Sequence, residues 1–205
     1  MMNKIISVIC FILITIFSLS SYAGEVSGAK AEAKVQSAID ETIGFLNTSK
    51  DLDNSAIESK FDELLNKYFD LDYISKASLG RYWKKATDAQ KEEYQKAFKN
   101  NIVKVYSMRF KEYDNQTIKI LKSSVRGRHD VIVFSELVSS DESTPPLEID
   151  WRIRVDRDGS YNIIDFSVAG VSTLITQRNE YSSIIEKNGG DISALIKELN
   201  NFVSK

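Results

Sequence analysis

From Ala29 to Phe45 the apolar and small residues Ala31, Val35, Ala38 and Phe45, with Thr42 among them, recur every three or four positions, which predicts an amphipathic helix. A polar break from Asn47 to Asn54 ends at Ser55, and Glu58 three residues on makes the pair a candidate capping box. Ile57, Phe61, Leu64, Leu65 and Tyr68 form the stripe of a second helix, and a short helical piece follows from Leu71 to Leu79, stopped by Gly80. Thr87 and Gln90 repeat the capping signature. Tyr94, Ala97, Phe98, Ile102, Val105 and Tyr106 then carry an apolar face toward Phe110 and Tyr113, on a helix long enough to cross a small domain.

After Asn115 the period changes to two. Leu147, Ile149, Trp151, Ile153 and Val155 alternate with Glu148, Asp150, Arg152, Arg154 and Asp156, as a strand with one buried face requires. Thr117 to Val125, Asp130 to Val138 and Tyr161 to Val168 read as three more strands, with turns at Arg126-Gly127-Arg128 and Asp158-Gly159. The stretch Ile163 to Leu174 runs from strand through the Gly170 turn into a helix over Val171 to Asn188, which Gly189 ends. Asp191 caps a last helix carrying Ile192, Leu195, Ile196, Leu199 and Phe202. Helices, four strands, then helices predict a single α+β domain of the NTF2-like kind: a curved, four-stranded antiparallel sheet covered by several helices around an internal apolar cavity.

The first 23 residues stand apart. Lys4, an apolar run from Ile5 to Leu19, and small residues around Ala23 make a secretory signal peptide cut after Ala23, leaving residues 24–205 as the exported domain. The apolar run is shorter than the roughly 20 residues that span a bilayer. Cys10, the sole cysteine, lies inside it, so the mature chain has no disulfide and no thiol ligand. A domain of about 180 residues can bury enough apolar surface without such staples. Without Lys4 the balance is 26 basic against 29 acidic residues, with both signs interleaved, which gives nucleic acid no basic stripe to bind.

Reactive chemistry has little to build on. His129 is the sole histidine and stands in a hairpin turn, no G-x-S-x-G elbow is present, and no glycine-rich phosphate loop follows a strand. One histidine without cysteine cannot supply the ligands zinc prefers. Asp156-Arg157-Asp158-Gly159 opens like a calcium loop but has Ser167 where the closing acid belongs, so it reads as a turn. What remains is aromatic: Phe61, Tyr68, Phe69, Tyr73, Tyr82, Trp83, Tyr94, Phe98, Tyr106, Phe110 and Tyr113 crowd one region, and Trp151 faces them from the sheet. Most of these would simply fill a core, yet a curved sheet under long helices can leave a cavity suited to an acyl chain.

The segment Ala77-Ser78-Leu79-Gly80-Arg81-Tyr82-Trp83-Lys84-Lys85-Ala86-Thr87 with Gln90, Tyr94, Phe98 and Tyr106, and the segment Asp165 to Val168 with Gly170-Val171-Ser172, Gln177, Asn179-Glu180, Ile184-Ile185 and Gly189-Gly190-Asp191, resemble the MlaC, or toluene-tolerance, family of periplasmic phospholipid-binding proteins. The similarity runs over roughly residues 30 to 200. Ala169 departs from the glutamate the family often has there, and Tyr161 from its tryptophan. The resemblance implies a carrier that uses no cofactor, holds a phospholipid as cargo by its acyl chains, and shuttles it between an outer-membrane lipoprotein-porin complex and an inner-membrane ABC transporter with an MCE-domain ring, maintaining outer-membrane asymmetry. On that basis Ile149, Trp151, Ile153, Ile164 and Val168 are expected to form one wall of the pocket, and Phe69, Ile74, Leu79, Tyr82, Tyr106, Phe110 and Val171 the rest.

Two other readings remain open on the residues alone. One is a small hydrolase or isomerase using Asp165, His129 or a tyrosine in the same cavity, since burial can tune a carboxylate. The other is a periplasmic adaptor that binds protein, its aromatics being only core. A filled interior favours the adaptor; an elongated cavity open at one rim favours the carrier.

Overall fold

The computed structural model describes residues 26–49, 52–109, 113–141 and 143–203, so residues 1–23, where a signal peptide is expected, and Phe110 lie outside the described residues. Helix α1 spans Gly28–Thr48, α2 Asn54–Tyr68, α3 Leu71–Leu79 and α4 Asp88–Arg109, with a 3-10 turn at Gly80–Tyr82 between α3 and α4. Strands β1 (Thr117–Arg126), β2 (Asp130–Val138), β3 (Leu147–Val155) and β4 (Tyr161–Val168) follow, then a two-residue β5 (Val171–Ser172), α5 (Thr173–Lys187) and α6 (Ile192–Val203).

Local chemistry accounts for most of these boundaries. Thr87 and Gln90 form the reciprocal box at the start of α4, each backbone N–H donating to the other's side chain, at 3.1 and 3.2 Å. For α2 the cap is Asp53, whose carboxylate accepts from the Ala56 N–H at 2.8 Å; Ser55 lies inside the helix. An aspartate placed one turn before the stripe competes better for the free N–H groups than a serine already in helical conformation. Gly80 ends α3 at φ 57°, and a Cβ there would sit 3.2 Å from the Arg178 side chain, so shape and dihedral both require glycine.

The sheet is an antiparallel meander in the order β1-β2-β3-β4-β5. It has five strands rather than the expected four, because the chain turns at Ala169-Gly170 and pairs Val171 and Ser172 back onto Val168 and Ser167 before the helix begins. Register shifts at Ile120/Lys122 on β1 and opposite Arg152/Ile153 on β3 mark bulges, which bend the strands and turn the sheet toward the helices. The β4 bulge also sends the consecutive side chains of Ile163 and Ile164 inward, and both are fully buried.

Two apolar clusters result. In one, Leu79, Tyr82, Tyr94, Phe98, Tyr181, Ile185, Leu195 and Leu199 pack α3 to α6 together. In the other, Ala31, Val35, Ile39, Leu64 and Tyr68 of α1 and α2 pack on Val131, Val133, Ile153 and Ile163 of the sheet. The α2–α3 junction is pinned to the sheet, where Phe69 bridges Ile163 and the Asp70 N–H donates to the Ile163 carbonyl at 3.0 Å.

Candidate functional site

Between these clusters lies a cavity of about 700 Å³, toward the upper part of the range of about 300–1,000 Å³ usual for small-molecule sites. Its walls come from every layer of the fold. Helix α1 contributes Ala38, Ile39, Ile43 and Leu46, and α2 contributes Phe61, Leu64, Leu65 and Tyr68. Phe98, Ile102 and Tyr106 of α4 close one side, and Trp151, Ile164, Phe166 and Val168 of the sheet close the other. The exposed members of the lining, Arg109, Val171, Thr176 and Glu180, mark the opening.

The aromatic walls are braced against one another. Tyr106 stacks on Phe61 at 6.0 Å between centroids and meets Phe166 edge-on at 6.4 Å, while Phe166 lies 5.8 Å from Trp151. The Trp151 indole N–H donates to Ser135 Oγ at 3.0 Å, and Ser135 in turn donates to the Ile149 carbonyl, which leaves the indole face free for the cavity. Burial pushes the Tyr106 hydroxyl's pKa above its usual value, against the opposing pull of Arg109, so it stays neutral.

Polar groups near the cavity are mostly committed to structure. Asp165 accepts from Ser172 Oγ at 2.5 Å, Thr173 Oγ1 at 3.1 Å and the Leu174 N–H at 3.0 Å, which fastens the start of α5 to β4. His129 lies at the other end of the sheet, beside Arg128 and Arg154, so the fold does not bring it to Asp165. Glu41 on the far side of α1 receives Lys67 at 2.6 Å, the Tyr68 hydroxyl at 2.7 Å and Lys60 at 3.2 Å. This network clamps α1 to α2 and so fixes the outer wall. The hydrogen bonds from Lys67 and then Tyr68 hold the Glu41 carboxyl down to about 2. No group of three or more His, Cys, Asp and Glu side chains that could hold a metal occurs among the described residues.

Of the residues expected at the pocket, Phe69, Ile74, Tyr106, Trp151, Ile164, Val168 and Val171 line the cavity. Leu79 and Tyr82 do not: the Gly80 turn directs both into the helical cluster, where they are 0% and 4% exposed. Ile153 is sealed at the end of the sheet that α1 covers directly. Ile149 is half-buried outside the lining, as Trp151, held toward Ser135 opposite Ile149, takes that stretch of wall. Phe166 was missing from the expected set although it shares the alternation of Ile164 and Val168, and continuing that alternation would have found it. The α1 residues were legible as a helix stripe but carried no signal that the stripe faces a void.

With that geometry in place, a family model described as MlaC protein matches residues 36–201. The chain belongs to the MlaC family. It is 27% identical over 140 residues to the intermembrane phospholipid transport system binding protein MlaC of Haemophilus influenzae, a match covering 67% of this chain and 64% of that protein. The toluene tolerance protein ttg2D of Pseudomonas putida is 24% identical over 182 residues, covering 83% of this chain and 80% of the relative. Among solved structures, the phospholipid-binding protein from Ralstonia solanacearum in complex with a phospholipid superposes with a TM-score of 0.71 at 23% identity, over 85% of this chain and 97% of the other. At that identity the superposition speaks for the shared fold.

Proposed function

We propose that the exported domain, residues 24–205, is a periplasmic phospholipid carrier that holds acyl chains in the cavity between the sheet and helices α1, α2 and α4. The observation that carries the reading is the cavity itself: a void of about 700 Å³ lined by aliphatic and aromatic side chains, in a chain of the MlaC family. An adaptor that bound only protein would gain by filling such a space, since each buried void forfeits dispersion contacts. The names of its relatives, a phospholipid transport binding protein and a toluene tolerance protein, agree with this reading.

Phe61, Tyr106, Trp151, Ile164, Phe166 and Val168 would contact the acyl chains, and Val171 the point where they leave the protein. Burying some 30 methylenes is worth on the order of 20 kcal/mol at about 0.8 each. A bilayer offers nearly the same, so exchange with a membrane partner runs close to balance while escape into water does not. The partners implied by the family are an outer-membrane lipoprotein-porin complex and an inner-membrane ABC transporter with an MCE-domain ring. No bond in the lipid changes, and the cargo is returned as it was received.

Mass spectrometry of protein purified under native conditions tests this directly. The expected result is copurified phospholipid, chemically intact; an empty protein, both alone and in a gently isolated complex, would sink the proposal.

A further inference from the structure

A second concavity, of about 510 Å³, lies at the end of the sheet away from the cavity opening. It is framed by the β1–β2 turn, with Arg126, Arg128 and His129, and by the end of β3, with Arg154 and Arg157. Asp130 on its edge and Leu137 in the lipid-type cavity are seven residues apart on one strand, which at a rise of about 3.3 Å separates the two sites by roughly 20–25 Å.

The choice of cation is what makes this corner unusual. The chain has 19 lysines and eight arginines, yet four of the arginines and none of the lysines line this concavity. A surface that needed only solubility would draw on the commoner lysine. Arginine presents a planar fork of donors that matches two oxygens of a phosphate at once.

The acids beside it are already engaged. Asp130 takes Arg152 at 2.5 Å and Arg154 at 3.2 Å, and Arg154 also lies over the Tyr73 ring at 4.2 Å. Asp156 accepts from Asn162 at 3.1 Å and Ser160 at 3.3 Å within its own turn. Arg126, Arg128 and Arg157 make no ion pair among the described residues, although the chain as a whole has a net charge of −2. The two turns are tied together by the Val155 N–H donating to the His129 carbonyl at 2.7 Å, so the free guanidinium groups project from a braced frame.

We propose that this corner binds phosphate groups, and that the phosphates are those of head groups at an anionic lipid surface. The concavity is broad and its free arginines stand on separate turns, which suits several phosphates spread over a surface better than one enclosed ion. Because it lies away from the opening, a carrier held there keeps its cavity free to meet a partner.

Flotation with phosphatidylglycerol vesicles, with phosphatidylcholine vesicles as the neutral control, tests the proposal on the exported domain. Binding to the anionic vesicles is expected, weakening as salt is raised. The triple variant R126Q/R128Q/R157Q should weaken it on the order of a hundredfold, and R126K/R128K/R157K should restore it only in part. Unchanged far-ultraviolet circular dichroism and unchanged copurified lipid would show that neither variant disturbs the fold or the cavity. Equal binding to both vesicle types, or binding untouched by the glutamine variant, would overturn the site, and full rescue by lysine would reduce it to unspecific charge. Titration with inorganic pyrophosphate adds a last arm: arginine-dependent binding of pyrophosphate without vesicle binding would overturn the membrane assignment in favour of a soluble phosphate.

Discussion

The helical cluster of α3 to α6 and the lining of the cavity draw on the same kinds of aromatic residue and end in opposite states. Among α3 to α6, Tyr94, Phe98 and Tyr181 meet edge-on or tilted at 5.9–6.5 Å, and Tyr94 and Tyr181 are buried away from the cavity, with Phe98 alone of the three on its wall. Between α1, α2, α4 and the sheet, Phe61, Tyr106, Phe166 and Trp151 make contacts of similar length yet ring a void. The difference is one of layers. Helices can slide and rotate until their side chains interlock, whereas a bent sheet holds its strands at fixed spacing, and helices bridging its hollow cannot reach the floor. Aromatic content therefore says little about whether a region is core or pocket; what decides it is the element opposite.

Substitutions on either side should separate the two states, beginning with the largest effect. Leu195→Ala in the filled cluster, where the side chain is fully buried, should cost about 2–5 kcal/mol of stability by chemical denaturation. Val168→Trp in the hollow region should change stability by no more than about 1.5 kcal/mol, because it fills existing space, while native mass spectrometry shows copurified phospholipid largely lost. If both variants cost the same stability, the contrast between the regions fails.

The outer wall of the hollow region should also respond to pH. Glu41 is held down to about 2 in the folded protein by Lys67, Tyr68 and Lys60, against an ordinary value near 4.5, so its contribution is complete above about 4.5 and is lost as pH falls from there toward 2. Glu41→Gln should flatten that part of the stability profile, as read from thermal melts across the window; an unchanged acid limb would count against the clamp. The smallest effect is expected at the turn leading to α5. Ala169 holds φ 49° without being glycine, so Ala169→Asn should stabilise by about 1 kcal/mol, visible as a small rise in Tm.

Much of this was legible along the chain. The α4 capping box, the Gly80 stop and the spans of β2 and β4 follow from rules that act over a few residues, and the structure keeps them. Seven of the twelve expected pocket residues line the cavity, most of them on strands or on helix faces whose period gives away the inward side. Leu79 and Tyr82 went the other way because a residue pattern marks a face as apolar without naming its partner, and only the Gly80 turn, packed on Arg178, aims that face at α5 and α6. The short β5 had no period long enough to read.

The sequence by itself determined the order of helices and strands, the caps and turns between them, the scarcity of metal and thiol ligands in residues 24–205, and the concentration of aromatics. Only the tertiary structure decided which aromatics interlock and which surround a space, which end of the sheet opens, and that arginines from separate turns meet in one corner. Periodicity and capping are local and survive in any single segment. A cavity and a charge cluster exist only once distant segments are held at fixed distances, and here those distances are set by a bent sheet and the helices laid across it.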